Sequence, residues 1–216
     1  AAGTYTANLT VTAATPSLSG FALSQSSVVY GATAPTITAP VTASTGAITY
    51  TSSNTSVANI NTNTGVITIA AVGNTILTAT QAAIGNYAQS TATTTLTVTA
   101  ATVALSGFSL NTPTVAYGTT TMPVVVAPTS VSSGAITYAV TGGTSTTPAV
   151  ITSAGVITSI GSVGTTIFTA TQAASGNYVQ STTTTVLTVT AGTAPVTTTF
   201  ALSAPSVVYG ATAPTI

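Results

Sequence analysis

An all-β fold made of tandem antiparallel β-sandwiches is what this sequence predicts. The chain repeats itself at a period near 90 residues. Within each period apolar residues alternate with Thr and Ser, and no stretch shows the spacing of an amphipathic helix.

The repeat is visible segment by segment. Gly20-Phe21-Ala22-Leu23-Ser24 returns as Gly107-Phe108-Ser109-Leu110-Asn111 and again as Phe200-Ala201-Leu202-Ser203. Val29-Tyr30-Gly31 returns as Ala116-Tyr117-Gly118 and Val208-Tyr209-Gly210. Gly46-Ala47-Ile48-Thr49-Tyr50 matches Gly134 to Tyr138, and Gly65-Val66-Ile67-Thr68 matches Gly155 to Thr158. Thr80-Gln81-Ala82-Ala83, Gly85-Asn86-Tyr87 and Leu96 to Ala100 recur from Thr171, Gly176 and Leu187. Offsets drift from 87 (Gly20 to Gly107) to 92 (Phe108 to Phe200), as loops of unequal length require. A period this long suits a whole small domain better than a solenoid turn.

Two complete domains are therefore expected, at 17–100 and 104–191. Residues 1–14, with Gly3-Thr4-Tyr5 and Leu9-Thr10-Val11-Thr12-Ala13, match the C-terminal strand of a preceding domain. Residues 197–216 match the N-terminal part of a following one and stop inside a predicted strand, which reads as a window on a longer chain.

In the first repeat the alternation predicts strands at 19–24, 27–30, 35–39, 46–52, 57–60, 65–70, 73–81 and 89–99, with the first two open to being one kinked strand. Leu96 and Val98 should point inward, with Thr95, Thr97 and Thr99 outward. Thr suits such a face because its branched Cβ fits the pleat and its hydroxyl supplies polarity without charge. Asn63-Thr64-Gly65 reads as a hairpin turn, since Asn and Gly tolerate positive φ. Pro35, Pro40, Pro123 and Pro128 fall where edge strands or bends belong. The linkers, Thr15-Pro16, 101–104 and 192–199, are short and poor in Gly, which favours a semi-rigid rod.

Composition removes whole classes of function. The 216 residues include no Lys, Arg, Asp, Glu, His, Cys or Trp. Nucleic-acid binding has no cation to neutralise phosphate. Acid–base catalysis has no group titrating near neutral pH, and the many hydroxyls have no base to activate them. Metal sites lack imidazole, thiolate and carboxylate ligands. The sequence thus predicts no enzyme, no catalytic residue, no cofactor-binding residue and no metal site. Disorder is excluded by 44% hydrophobic content, a mean hydropathy of +0.62 and the regular recurrence of Val, Ile, Leu and Tyr. No apolar run is long enough to suggest a membrane span, and no signal peptide is visible at Ala1.

Ile48-Thr49-Tyr50-Thr51-Ser52-Ser53-Asn54, Ser56-Val57-Ala58, Gly65-Val66-Ile67 and Thr75 to Thr80 resemble the immunoglobulin-like repeats of intimin- and invasin-type bacterial surface proteins. Tyr30 to Ile37 is similar to a related repeat of large surface proteins. The resemblance covers essentially the whole chain. It implies tandem immunoglobulin-like sandwiches at an extracellular location. Such repeats usually carry scattered Asp and Lys, for example near Asn61 and Ser175; their absence here removes calcium-stiffened linkers and Lys–Asn crosslinks.

The repeated Tyr30, Tyr117 and Tyr209 allow a ligand-stacking row, but core or corner tyrosines with paired hydroxyls are the expectation. Tyr87 and Tyr178, before the last strand, are expected to pin a loop. The Thr runs at 91–99 and 182–190 read as outward strand faces in preference to an ice- or glycan-facing array. Asn8-Leu9-Thr10 and Asn54-Thr55-Ser56 match the glycosylation pattern, as chance allows in a chain rich in Thr and Ser. Two functional classes remain: a structural repeat of an extracellular filament or surface fibre, and the shaft of a monomeric adhesin with its binding domain outside this window. Near-identity of the repeats and uncharged flanks favour the first, with further copies of the chain as partners.

Overall fold

The computed structural model describes residues 2–193, Ser206 and 208–213. Every regular element among them is a strand. The first eight are β1 (Ala22–Leu23), β2 (Ser27–Val29), β3 (Ile37–Thr38), β4 (Ile48–Ser52), β5 (Ala58–Ile60), β6 (Ile67–Ile69), β7 (Gly73–Gln81) and β8 (Ser90–Thr99). The next eight are β9 (Ser109–Leu110), β10 (Thr114–Ala116), β11 (Val125–Val126), β12 (Ile136–Gly143), β13 (Val150–Ile151), β14 (Ile157–Ser159), β15 (Gly164–Gln172) and β16 (Ser181–Thr190).

Each set makes the same two layers. One layer is a four-stranded sheet, ordered β2-β8-β7-β4 in the first set and β10-β16-β15-β12 in the second. The other is a pair of small sheets, β1-β3 with β5-β6 and β11-β9 with β13-β14. The fold is an all-β, immunoglobulin-like sandwich. The period-2 alternation builds it directly: on β8, Leu96 and Val98 are buried while Thr95 and Thr99 are exposed. Leu77 and Ala79 lie beside them on the same sheet face from β7, and Val57, Ala58, Ile60 and Ile67 close the core from the other layer. The second core repeats this with Phe168, Ala170, Leu187 and Val189 against Phe108, Leu110, Ala149 and Ile157.

The sandwich, expected to be antiparallel, is so except at one pairing in each set. β2 runs parallel to β8, pairing Ser27 with Thr97 and Val29 with Thr99, and β10 runs parallel to β16. Nor are 19–24 and 27–30 one strand. β1 pairs with β3 in the small layer, and the chain then crosses to the large one. A strand entering that sheet beside the last strand, in the same direction, has to pair with it in parallel. The expected strand 35–39 shrinks to Ile37–Thr38, because Pro35 and Pro40 are both buried at its ends and lack an N–H to donate. The expected turn at Asn63-Thr64-Gly65 forms, with Asn61 Oδ1 accepting the N–H of Asn63 and Thr64 and Gly65 at φ +70°.

Residues 2–13, expected as the last strand of a preceding domain, form no strand and are exposed, Leu9 at 90% and Val11 at 84%. Most of 197–216, the expected start of a following domain, lies outside the described residues.

The loops before β4 and β12 tolerate no side chain at their glycines. A Cβ on Gly46 would sit 2.1 Å from the carbonyl oxygen of Ala82, and one on Gly134 1.9 Å from that of Ala173. Gly46→Ala is expected to cost more than about 2 kcal/mol, measured by urea unfolding, because the obstacle is backbone and cannot rotate away.

Candidate functional site

Buried polar groups are where a site would be sought, and here they hold a loop. Gln81, at the end of β7, is fully buried. Its Nε2 donates to the carbonyl oxygens of Ser44 (2.9 Å) and Gly46 (3.4 Å), and its Oε1 accepts from Thr42 Oγ1 at 2.8 Å. Gln172 repeats the arrangement with Ser132 (2.9 Å), Gly134 (3.1 Å) and Ser130 Oγ (2.7 Å). Each amide thereby fixes the loop entering β4 or β12 from inside the core. Ser90 and Ser181, directly opposite these glutamines, bury a hydroxyl without a partner among the described residues.

The tyrosines divide by position. Tyr30 is half-buried and packs against the first core. Its ring meets that of Tyr178 edge-to-face, with centroids 5.8 Å apart. Tyr117 and Tyr209 are exposed, at 58% and 107%. The expectation of core tyrosines with paired hydroxyls is met only in part, by the packing of Tyr30 against the core; its hydroxyl has no hydrogen bond among the described residues. A stacking row does not form. Tyr87 and Tyr178 do close their loops, but through backbone bonds to Ile84 and Ser175.

Two open grooves recur at equivalent places. Ala34 to Ile37 with Gly65 to Ile67 line one of about 230 Å³. Met122 to Val125 with Gly155 to Ile157 line another of about 210 Å³. Both fall below the roughly 300 Å³ at which small-molecule sites begin, and neither gathers convergent polar side chains. The outward faces of β7 and β8 pair Thr78 with Thr93 and Thr80 with Thr91. These are the Thr faces that alternation predicted.

The site geometry thus centres on the junction between the sandwiches. Ala101 lies two residues past the end of β8, and its N–H already donates to the carbonyl oxygen of Asn177 at 2.9 Å. The Val179 N–H returns the bond to Ala101 at 2.9 Å. Ala14 makes the same pair of bonds with Asn86 and Ala88 at the start of the first sandwich.

Electrostatics are nearly silent. Burial pushes the Tyr138 hydroxyl above its ordinary value of 10.0. The folded state then holds this proton to higher pH than the unfolded chain, so its contribution is complete below pH 10 and declines as pH rises past it. The chain has no Asp, Glu, His, Cys, Lys or Arg. The melting midpoint is expected to move by less than about 5 °C between about pH 3 and 9, followed calorimetrically, and to fall above about pH 10.

No helix among the described residues is long and apolar enough to cross a membrane. No known protein family and no curated protein matches this chain. Similar solved structures include human protocadherin-24 EC1-2, 16% identical over 80% of this chain and 98% of that one, with a TM-score of 0.32. Drosophila N-cadherin EC1-3 is 12% identical over 82% of this chain and 68% of that one, with a TM-score of 0.30. A SusE-like surface-located polysaccharide-binding protein from Bacteroides thetaiotaomicron is 18% identical over 82% of this chain and 34% of that one, with a TM-score of 0.29. The sandwich assignment itself rests on the chain's own sheets and two cores.

Proposed function

We propose that this chain is a structural, non-catalytic repeat segment of an extracellular bacterial filament or surface fibre, with complete sandwiches at 17–100 and 104–191. One observation carries the reading: the linker has no free span. Ala101 leaves one sandwich and is bonded into the next, so the sandwiches follow one another as links of a stiff rod. Lateral assembly has no electrostatic barrier. Edge strands are commonly guarded by Lys or inward charge, and this chain has neither. Val66 and Val156, at the same hairpin position, are 62% and 58% exposed. Weak contacts at such positions recur with every repeat and add along the rod.

Electron microscopy of the native material is the test. Ordered fibres with several chains in cross-section, and contacts spaced at the domain period, are expected. Isolated single-chain rods would overturn the filament and leave the chain as the shaft of an adhesin.

A further inference from the structure

The triplet Gly-Asn-Tyr occurs at 85–87 and at 176–178, yet its two copies have different surroundings. Asn86 is exposed, whereas Asn177 is half-buried. Asn177 Oδ1 accepts the backbone N–H of Val72, in the first sandwich, at 2.9 Å. One residue on, the Tyr178 ring stands at 87° to the Tyr30 ring of the first sandwich. Tyr30 and Val72 thus form a socket at one pole of that sandwich, and the loop of the second plugs it.

The equivalent pole of the second sandwich is built on the same backbone. Tyr117 replaces Tyr30 and Val163 replaces Val72. The N–H of Tyr117 bonds Thr190 at 2.8 Å, as that of Tyr30 bonds Thr99 at 2.8 Å. The glycines that follow, Gly31 and Gly118, have φ of +82° and +85°. Yet Tyr117 and Val163 are 58% and 52% exposed, and the Val163 N–H has no acceptor among the described residues.

We propose that Tyr117 and the Val163 N–H form a docking socket for the Gly-Asn-Tyr loop of a further sandwich of the same type, joined in tandem after Ala191. The occupant follows from continuity. Thr188-Val189-Thr190-Ala191 repeats Thr97-Val98-Thr99-Ala100, which leads into the observed joint, and Phe200 to Ile216 restarts the domain pattern. A second copy docking in trans would lack this covalent connection, which is what brings the loop to the socket in the observed joint. The joint uses an amide-to-backbone bond, which is directional, and an edge-to-face ring pair, which is short-ranged. It sets the angle between neighbours without an ion. This goes beyond the stiff-rod reading, which requires only a short linker.

Amide hydrogen exchange, read by NMR, tests it on this chain and on one carrying a second copy of residues 101–191 after Ala191. In the present chain Val72 should be protected and Val163 should exchange freely. In the longer chain Val163 should slow by about tenfold or more, toward the rate of Val72. Asn177→Ala should release Val72 by a similar factor, Asn177→Asp should retain its protection, and Asn86→Ala should leave it unchanged within about twofold. Val163 exchanging equally fast in both chains would overturn the proposal, as would Val72 staying protected in Asn177→Ala. Protection of Val163 that grows with concentration in the present chain would overturn the tandem assignment in favour of docking between copies.

Discussion

Phe168→Ala is expected to destabilise the second sandwich by about 3–5 kcal/mol, the usual range for emptying a buried aromatic position. Phe168 is fully buried at the centre of β15, in one core with Leu110, Ile157, Ala170 and Leu187. The first sandwich holds Leu77 at the equivalent place, so the two cores solve the same position with different volumes. Denaturant unfolding followed separately in the two sandwiches checks this. The second should unfold at markedly lower urea, while the first keeps its midpoint apart from what it loses at the joint. A loss below about 1 kcal/mol would mean that the core collapses around the deletion or that the packing is wrong.

Gln81→Leu should be nearly as damaging, although it fills the same space with an apolar side chain. It leaves the buried Ser44 carbonyl oxygen, and the part-buried Gly46 carbonyl and Thr42 hydroxyl, without the amide that bonded them. A buried group costs about 1–3 kcal/mol when stranded and the two part-buried ones less, so a total near 2–4 kcal/mol is expected, with Gln172→Leu behaving alike. Gln81→Glu is the sharper probe. A carboxylate facing two carbonyl oxygens has its pKa raised in the folded state, so stability is retained at acid pH and lost as pH rises through about 4 to 6. A fold otherwise indifferent to pH would thereby acquire a pH dependence, visible as a falling melting midpoint over that window.

How much of this was legible in the sequence depends on the range over which each signal acts. β7 and β8 were readable nearly to the residue, because long alternating runs leave one register that hides Leu77, Leu96 and Val98 together. The small-layer strands were overestimated, because two or three residues, in β3 set between buried prolines, carry too little pattern to fix their ends. The parallel pairing of β2 was not legible, since alternation gives a strand's faces and not its direction. Gln81 and Asn177 both stood out as repeated residues, but their roles depend on distant partners. Asn177 meets Val72 across 105 residues, and no local spacing reports that. What could be read was the recurrence of Gly-Asn-Tyr itself, a polar and aromatic triplet kept where loop length varies.

The parallel pairing of β2 with β8 has a mechanical meaning. In a tandem array, tension enters a sandwich near its first strands and leaves through the end of its last. Ser27 lies opposite Thr97 and Val29 opposite Thr99, with both strands running the same way. Pulling the leading end backward and the trailing end forward slides one strand along the other, and the bonds from Thr97 to Ser26 (2.9 Å) and from Tyr30 to Thr99 (2.8 Å) take the load together. A hairpin pulled apart at its open end would yield one bond at a time. This geometry is loaded in shear, and with β10 on β16 it recurs in the next link. The arrangement that breaks the antiparallel rule is also the one in which tension along such an array would load several bonds at once.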